Sequence, residues 1–127
     1  MVSLLIMGKF YLNKLPKEKR IQMIGEFYDT IASLKNRGEV RLFFKDLLTS
    51  DEIAALMRRI EVAALLAGGC SYRQIEELLG VGKGKITNVQ RRLMRGGEGY
   101  GLVIKRLLKN RKQRIQTQED KEKAARS

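Results

Sequence analysis

Apolar residues in this chain recur every three or four positions, and nowhere do they alternate with polar ones for long enough to make a strand. A three-to-four period gathers side chains on one stripe of an α-helix, so the sequence predicts an all-α protein. Pro16 suits the first position of a helix, because its missing N–H is not needed there. A helix follows from Lys17 to about Asn36, with Ile21, Ile24, Phe27, Tyr28, Ile31 and Leu34 as its stripe. Gly38 breaks that pattern, and a short second helix spans Glu39 to Leu48. Thr49-Ser50-Asp51-Glu52 is a capping box that opens a third helix, which ends near Ala67 at Gly68-Gly69. Ser71-Tyr72-Arg73-Gln74 is a second capping box, opening a helix to Leu79. After the Gly80-Val81-Gly82 turn, a fifth helix runs from about Lys83 to Met94. The glycine-rich run from Gly96 to Gly101 reads as a flexible break before a sixth helix starting near Leu102.

With 127 residues there is room for one core. The expected organisation is an N-terminal extension over 1–15, a helical domain over 16–114, and a disordered or frayed tail over 115–127. The tail has no apolar face. The apolar segment Val2–Met7 is far shorter than the roughly twenty residues a spanning helix needs. It also lacks the charge and cleavage pattern of a signal peptide, so the expectation is a cytoplasmic protein.

Several chemistries are excluded by what is missing. The chain has no His, which removes His-based triads, His general bases and His metal ligands. Its one cysteine, Cys70, excludes an internal disulfide and a paired-cysteine zinc site. Nothing arranges the remaining Asp, Glu, Lys, Tyr and Ser side chains as a catalytic constellation. No enzyme activity and no metal are expected.

The charge, by contrast, is informative. The chain carries 26 Lys and Arg against 14 Asp and Glu, a net +12. The surplus is concentrated: residues 83–114 hold eleven basic side chains and one acidic one, Glu98. Such a window is the footprint of a polyanion.

Its amino-terminal part overlaps the segment Ser71–Leu93, SYRQIEELLGVGKGKITNVQRRL. A two-turn helix, a tight glycine turn and a longer helix make a helix-turn-helix, with Ile75, Leu78 and Leu79 packing on Val81, Ile86, Val89 and Leu93. The second helix of such a pair lies in the major groove. It would present Lys83, Gly84, Lys85 and Thr87 first, then Asn88, Gln90, Arg91 and Arg92. Lys and Arg donate to guanine, Asn and Gln pair with adenine, and Thr offers hydroxyl and methyl. Ser71, Tyr72 and Arg73 open the first helix and are placed to touch phosphates. Lys105, Arg106 and Lys109, in the basic run that continues to Arg114, read as added phosphate contacts. A helical hairpin with a solvated basic face fits the same pattern. A phosphate-binding loop does not: Gly82-Lys83 is followed by glycine and preceded by a helix.

The run from Leu48 to Leu93 resembles the tryptophan-repressor superfamily. The shared pattern includes Leu48-Thr49, Glu52, Leu56, Arg59, Val62, Leu66, Gly69, Ser71, Arg73, Ile75, Leu79-Gly80-Val81-Gly82, Ile86-Thr87 and Leu93. Upstream, Phe27-Tyr28-x-x-Ile31-x-Ser33-Leu34 and Phe43-Phe44-x-Asp46-Leu47 are similar to its YerC/YecD-like branch. The resemblance covers roughly residues 22–108. It implies a six-helix fold, an intertwined homodimer, and a reading head made of the fourth and fifth helices. The amino-terminal helices with Phe27, Tyr28, Phe43 and Phe44 would then be dimer core. It also implies an effector pocket at Thr49, Arg59 and Asn88. There the pattern departs, because the repressor clamps an indole between two arginines. One matches Arg59, the other matches Asn88, and the glycine that follows matches Val89. An amide cannot replace a stacked guanidinium, and valine would crowd the pocket. No tryptophan co-repressor is expected, and any effector is unknown.

The expected function is a dimeric, sequence-specific regulator of transcription, a repressor, on double-stranded DNA. The alternative is a non-specific or architectural nucleic-acid binder using the basic 83–114 surface. An amphipathic membrane-surface helix at 102–114 is disfavoured by its short apolar face, which has no Trp or Phe.

Overall fold

The structure is a computed structural model that describes residues 10–126. The Val2–Met7 segment lies outside the described residues. Six α-helices and one short 3-10 turn account for the regular structure, and no strand occurs among the described residues. The helices are α1 (Lys17–Ala32), α2 (Arg37–Leu47), α3 (Ser50–Ala67), α4 (Tyr72–Leu79), α5 (Lys83–Met94) and α6 (Glu98–Arg126). The described chain falls into two compact units, the first ending at Leu48 and the second beginning at Thr49. That boundary lies inside the 16–114 span expected as one domain.

The first unit holds the 3-10 turn Leu12–Lys14, α1 and α2. Pro16 caps α1 rather than occupying its first turn. The helix stops at Ala32, four residues before the expected end. Asn36 sets the break that the sequence suggests at Gly38. Its carboxamide oxygen accepts the Glu39 amide at 3.0 Å, and the Glu39 carboxylate accepts the Lys35 amide at 2.9 Å. This side-chain cap starts α2 two residues early and takes Gly38 into the first turn. No residue of α1 or α2 is buried. Ile21, Phe27 and Tyr28 are 60%, 54% and 65% exposed.

The second unit holds the core. Val62 and Ala63 from α3, Ile75 from α4, Ile86 and Val89 from α5, and Ile104 from α6 form one buried cluster. Each fully buried Val or Ile contributes about 1.5–3 kcal/mol by leaving water. The small side chains of Ala63 and Ala64, both buried, allow close approach on α3, which packs on α4, α5 and α6.

Both predicted capping boxes form. Thr49 donates its amide to Glu52 Oε1 at 2.9 Å, and its hydroxyl accepts the Glu52 amide at 3.1 Å. Ser71 and Gln74 repeat the exchange at 2.8 and 3.2 Å. The Thr49 amide, and secondarily its hydroxyl, hold the Glu52 carboxyl below its usual range. At the end of α3 the Cys70 amide bonds the Leu65 carbonyl and the Gly69 amide bonds that of Leu66, a Schellman closure.

The last helix departs most from expectation. It starts at Glu98, not Leu102, so Gly99 and Gly101 lie inside it. The reversal is confined to Gly96 and Gly97, both at positive φ. Tyr100 then packs on the core cluster and Ile104 is buried in it, which offsets the poor helix propensity of the two glycines. Nor does the helix end near Ile115. It continues to Arg126, through the segment expected as a disordered tail or frayed helix end. Beyond the core the helix carries local pairs: Gln116 to Asp120 at 3.0 Å, Gln118 to Glu122 at 3.4 Å, and Thr117 Oγ1 to the Gln113 carbonyl at 2.9 Å. At 1.5 Å per residue it is about 43 Å long. No helix among the described residues is long and apolar enough to cross a membrane.

Candidate nucleic-acid interface

Two helices and one glycine make the corner. Gly80 ends α4 with φ 65° and ψ 31°, and its amide bonds the Glu76 carbonyl. That left-handed conformation suits glycine, which has no Cβ to clash. Val81 packs against the core and Gly82 caps α5. Buried Ile75 of α4 belongs with Ile86 and Val89 of α5 to one cluster, flanked by Leu79 and Leu93.

With Ile86, Val89 and Leu93 turned inward, helical geometry fixes what faces out. Gly84, Asn88, Arg91 and Arg95 lie opposite the core line, and all four are exposed. Lys85 and Arg92 flank them on one side and Lys83 on the other, also exposed. Thr87 and Gln90 are half-buried. The first turn of α5 contains no acidic residue, and its last turn adds Arg91 and Arg92. No side chain caps this amino end, and the positive end of the helix dipole together with the flanking cations favours a negative partner.

The residues at the start of α4 are differently employed. The Ser71 hydroxyl accepts the Gln74 amide as a cap. Tyr72 is half-buried and packs on the core. Arg73 is exposed and pairs with Glu77 at 3.3 Å. On α6, Tyr100, Ile104, Leu107 and Arg111 form the inner line. Lys105, Lys109 and Lys112 lie on the opposite side, all exposed, with Arg106 beside them.

Beside α5 is a cavity of about 850 Å³. Arg58 and Arg59 of α3, Lys85, Asn88, Val89, Arg91 and Arg92 of α5, Arg95, and Tyr100 of α6 line it. It brings together two of the three residues expected at an effector pocket, Arg59 and Asn88. The third, Thr49, caps α3 and does not line it. Sequence reading overlooks Arg58, Arg95 and Tyr100. The first two carry a legible signal: Arg58 adjoins Arg59, and Arg95 stands one turn beyond Arg91 and Arg92. Tyr100 is hidden by the expectation of a loop. No group of three or more His, Cys, Asp or Glu side chains is placed to hold a metal ion among the described residues.

Comparison with known proteins gives a consistent picture. The family model for the Trp repressor protein matches residues 22–108. The uncharacterized protein YerC of Bacillus subtilis (strain 168) is 36% identical over 84 residues, covering 66% of this chain and 81% of that protein. A TrpR-like protein from Eubacterium eligens ATCC 27750 has a similar crystal structure, with TM-score 0.63 and 37% identity over 68% of this chain and 89% of that one. A crystal structure of a proposed Trp repressor from Staphylococcus aureus aligns with TM-score 0.65 and 32% identity, covering 78% and 95%.

Proposed function

Because this chain belongs to the Trp repressor family, a family of transcription regulators rather than enzymes, we propose that it is a DNA-binding repressor that reads a near-palindromic site as a homodimer. One observation carries the reading. Helix α5 is anchored by Ile86 and Val89 in the core and holds Lys83, Lys85, Asn88 and Arg91 exposed, next to a glycine corner. These side chains donate to or pair with base edges in the major groove. The exposed cations of α6 add phosphate attraction.

The dimer is supported by the first unit, where Ile21, Ile24, Phe27 and Tyr28 are exposed and no residue of α1 or α2 is buried. Two helices with that much uncovered apolar surface gain stability by folding against another copy. Two reading heads about 34 Å apart would then span one turn of DNA. Tryptophan is not the effector on this reading. The position that would need a second stacking guanidinium is Asn88, and the buried Val89 side chain takes space beside it.

The test is selection from a random duplex library at two salt concentrations. An enriched palindrome that survives higher salt is expected. Binding without enrichment, lost as salt rises, would instead favour the non-specific architectural reading. That second reading is supported by the Lys105, Lys109 and Lys112 stripe on α6, which carries charge but no base-reading amide.

A further inference from the structure

The cavity between α3, α5 and α6 has an unusual lining. Six of its nine side chains are cations: Arg58, Arg59, Lys85, Arg91, Arg92 and Arg95. No carboxylate lines it. The ion pairs among the described residues are Arg73–Glu77 and Arg111–Glu61, so none of the six is paired with a described carboxylate. Like charges gathered around one concavity repel each other, and the repulsion is relieved by a bound anion. The floor is different in character. Val89 is 5% exposed and Tyr100 packs on the core, so the cavity reaches down to apolar surface. Asn88 adds a neutral amide that both donates and accepts.

We infer that this cavity is a binding site for a small, multiply phosphorylated molecule, and that its occupant releases DNA. The concave shape distinguishes a compact anion from a duplex backbone. Arg58 and Arg59 approach from α3 while Lys85 and Arg92 approach from the flank of α5, so a compact ligand meets cations from two helices at once. Guanidinium forks suit phosphate oxygens, and the apolar floor accepts the non-ionic part of the ligand.

The direction of regulation follows from shared residues, and it rests on the proposed DNA reading. Lys85, Asn88 and Arg91 line the cavity and also stand on the reading face. An anion that engages them removes donors and positive charge from the groove-facing side of α5. Ligand and DNA therefore compete, and by linkage each weakens the other by the same factor.

The probe is inorganic tripolyphosphate, titrated calorimetrically into the full chain without DNA at fixed ionic strength. Saturable binding at one site per chain is expected. The Arg58→Gln/Arg59→Gln variant should weaken it at least tenfold, and Arg95→Gln provides a second, single-residue check if the first is poorly folded by circular dichroism. Lys121→Gln/Lys123→Gln, with the same charge change at the far end of α6, should leave it unchanged. Non-saturable binding, or equal loss in both double variants, would overturn the site. So would a variant pair in which Arg58→Gln/Arg59→Gln abolishes duplex binding while the parent chain shows no saturable tripolyphosphate binding, because the cavity would then seat DNA phosphates. Competition is read separately: tripolyphosphate should weaken duplex binding by the parent chain more than sulfate does at matched ionic strength. Saturable binding with no such difference would retain the site and overturn the release of DNA. A chain that binds tripolyphosphate but no duplex would sink the regulator reading and leave the ligand site standing.

Discussion

Arg111, thirteen residues into α6, donates to the carboxylate of Glu61 in the middle of α3, fifty residues earlier in the chain. Both side chains are about one-third exposed, at 39% and 33%. Every described residue of the helix beyond Arg111 is exposed, so the pair stands where the packed part of α6 ends.

Arg111→Ala should therefore act at two levels. Global stability should fall by roughly 1 kcal/mol, the scale of a partly screened ion pair with a good hydrogen bond. The larger change should be local: amide hydrogen exchange over residues 112–126 should accelerate, while Val62 and Ile86 amides stay protected. Glu61→Gln should reproduce most of it. Unchanged exchange beyond residue 111 in both variants would show that the helix is held by its own local pairs.

The corner between α4 and α5 is legible in the sequence because its signals are local and agree. Ser71 and Gln74 mark the start, Gly80 the stop, and the apolar spacing of Ile75, Ile86 and Val89 gives the inner line. The start of α6 is not legible for a tertiary reason. Gly99 and Gly101 argue against helix by propensity, and burial of Tyr100 and Ile104 overrides them. Gly38 misleads in the opposite direction, because the cap that decides where α2 starts is the carboxamide of Asn36. The cavity escapes a linear reading altogether. Arg58 and Arg95 stand 37 positions apart, and only the packing of α3 beside α5 brings them to one concavity.

The two glycines with the clearest backbone roles should respond differently to alanine. At Gly80 the φ is +65° and an added Cβ meets nothing within 4 Å. The cost of Gly80→Ala is the left-handed conformation alone, about 1 kcal/mol. At Gly97 the φ is +56° and a Cβ would stand 2.9 Å from Leu93 Cα and 3.1 Å from its carbonyl oxygen. Backbone must shift there, so Gly97→Ala should cost more, on the order of 2–3 kcal/mol. Urea unfolding of both variants checks the ranking, and an equal cost would mean that the turn before α6 adjusts freely.

The capping box of α3 predicts an acid dependence. Hydrogen bonds from Thr49 favour the charged Glu52 carboxylate and lower its pKa in the folded state. A carboxyl lowered on folding stabilises the fold above its unfolded pKa, and that contribution disappears as pH falls through the lower, folded value. Glu52→Gln keeps an acceptor for the Thr49 amide, as Gln74 does for Ser71, but cannot titrate. Its stability relative to the parent should improve as pH falls from neutrality to about 3, measured by urea midpoints across that range. A constant difference between the two chains would show that Glu52 does not sense folding.

Lys85 and Lys109 should separate reading from attraction. Lys85 stands on the first turn of α5 beside Asn88, in reach of base edges if that helix enters the groove. Lys109 stands on α6, on the side away from the core, among other lysines. Lys85→Ala should weaken binding to the selected site by about 1–3 kcal/mol and relax its sequence preference, with a smaller effect on random duplex. Lys109→Ala should weaken both duplexes equally and reduce the slope of log affinity against log salt by about one unit for each phosphate it no longer neutralises. Equal loss on both duplexes from Lys85→Ala would mean that Lys85 touches phosphate only, and Asn88 and Arg91 would have to carry the readout. A Lys109→Ala effect confined to the selected site would place α6 against bases instead, and its lysine stripe would no longer be a non-specific element.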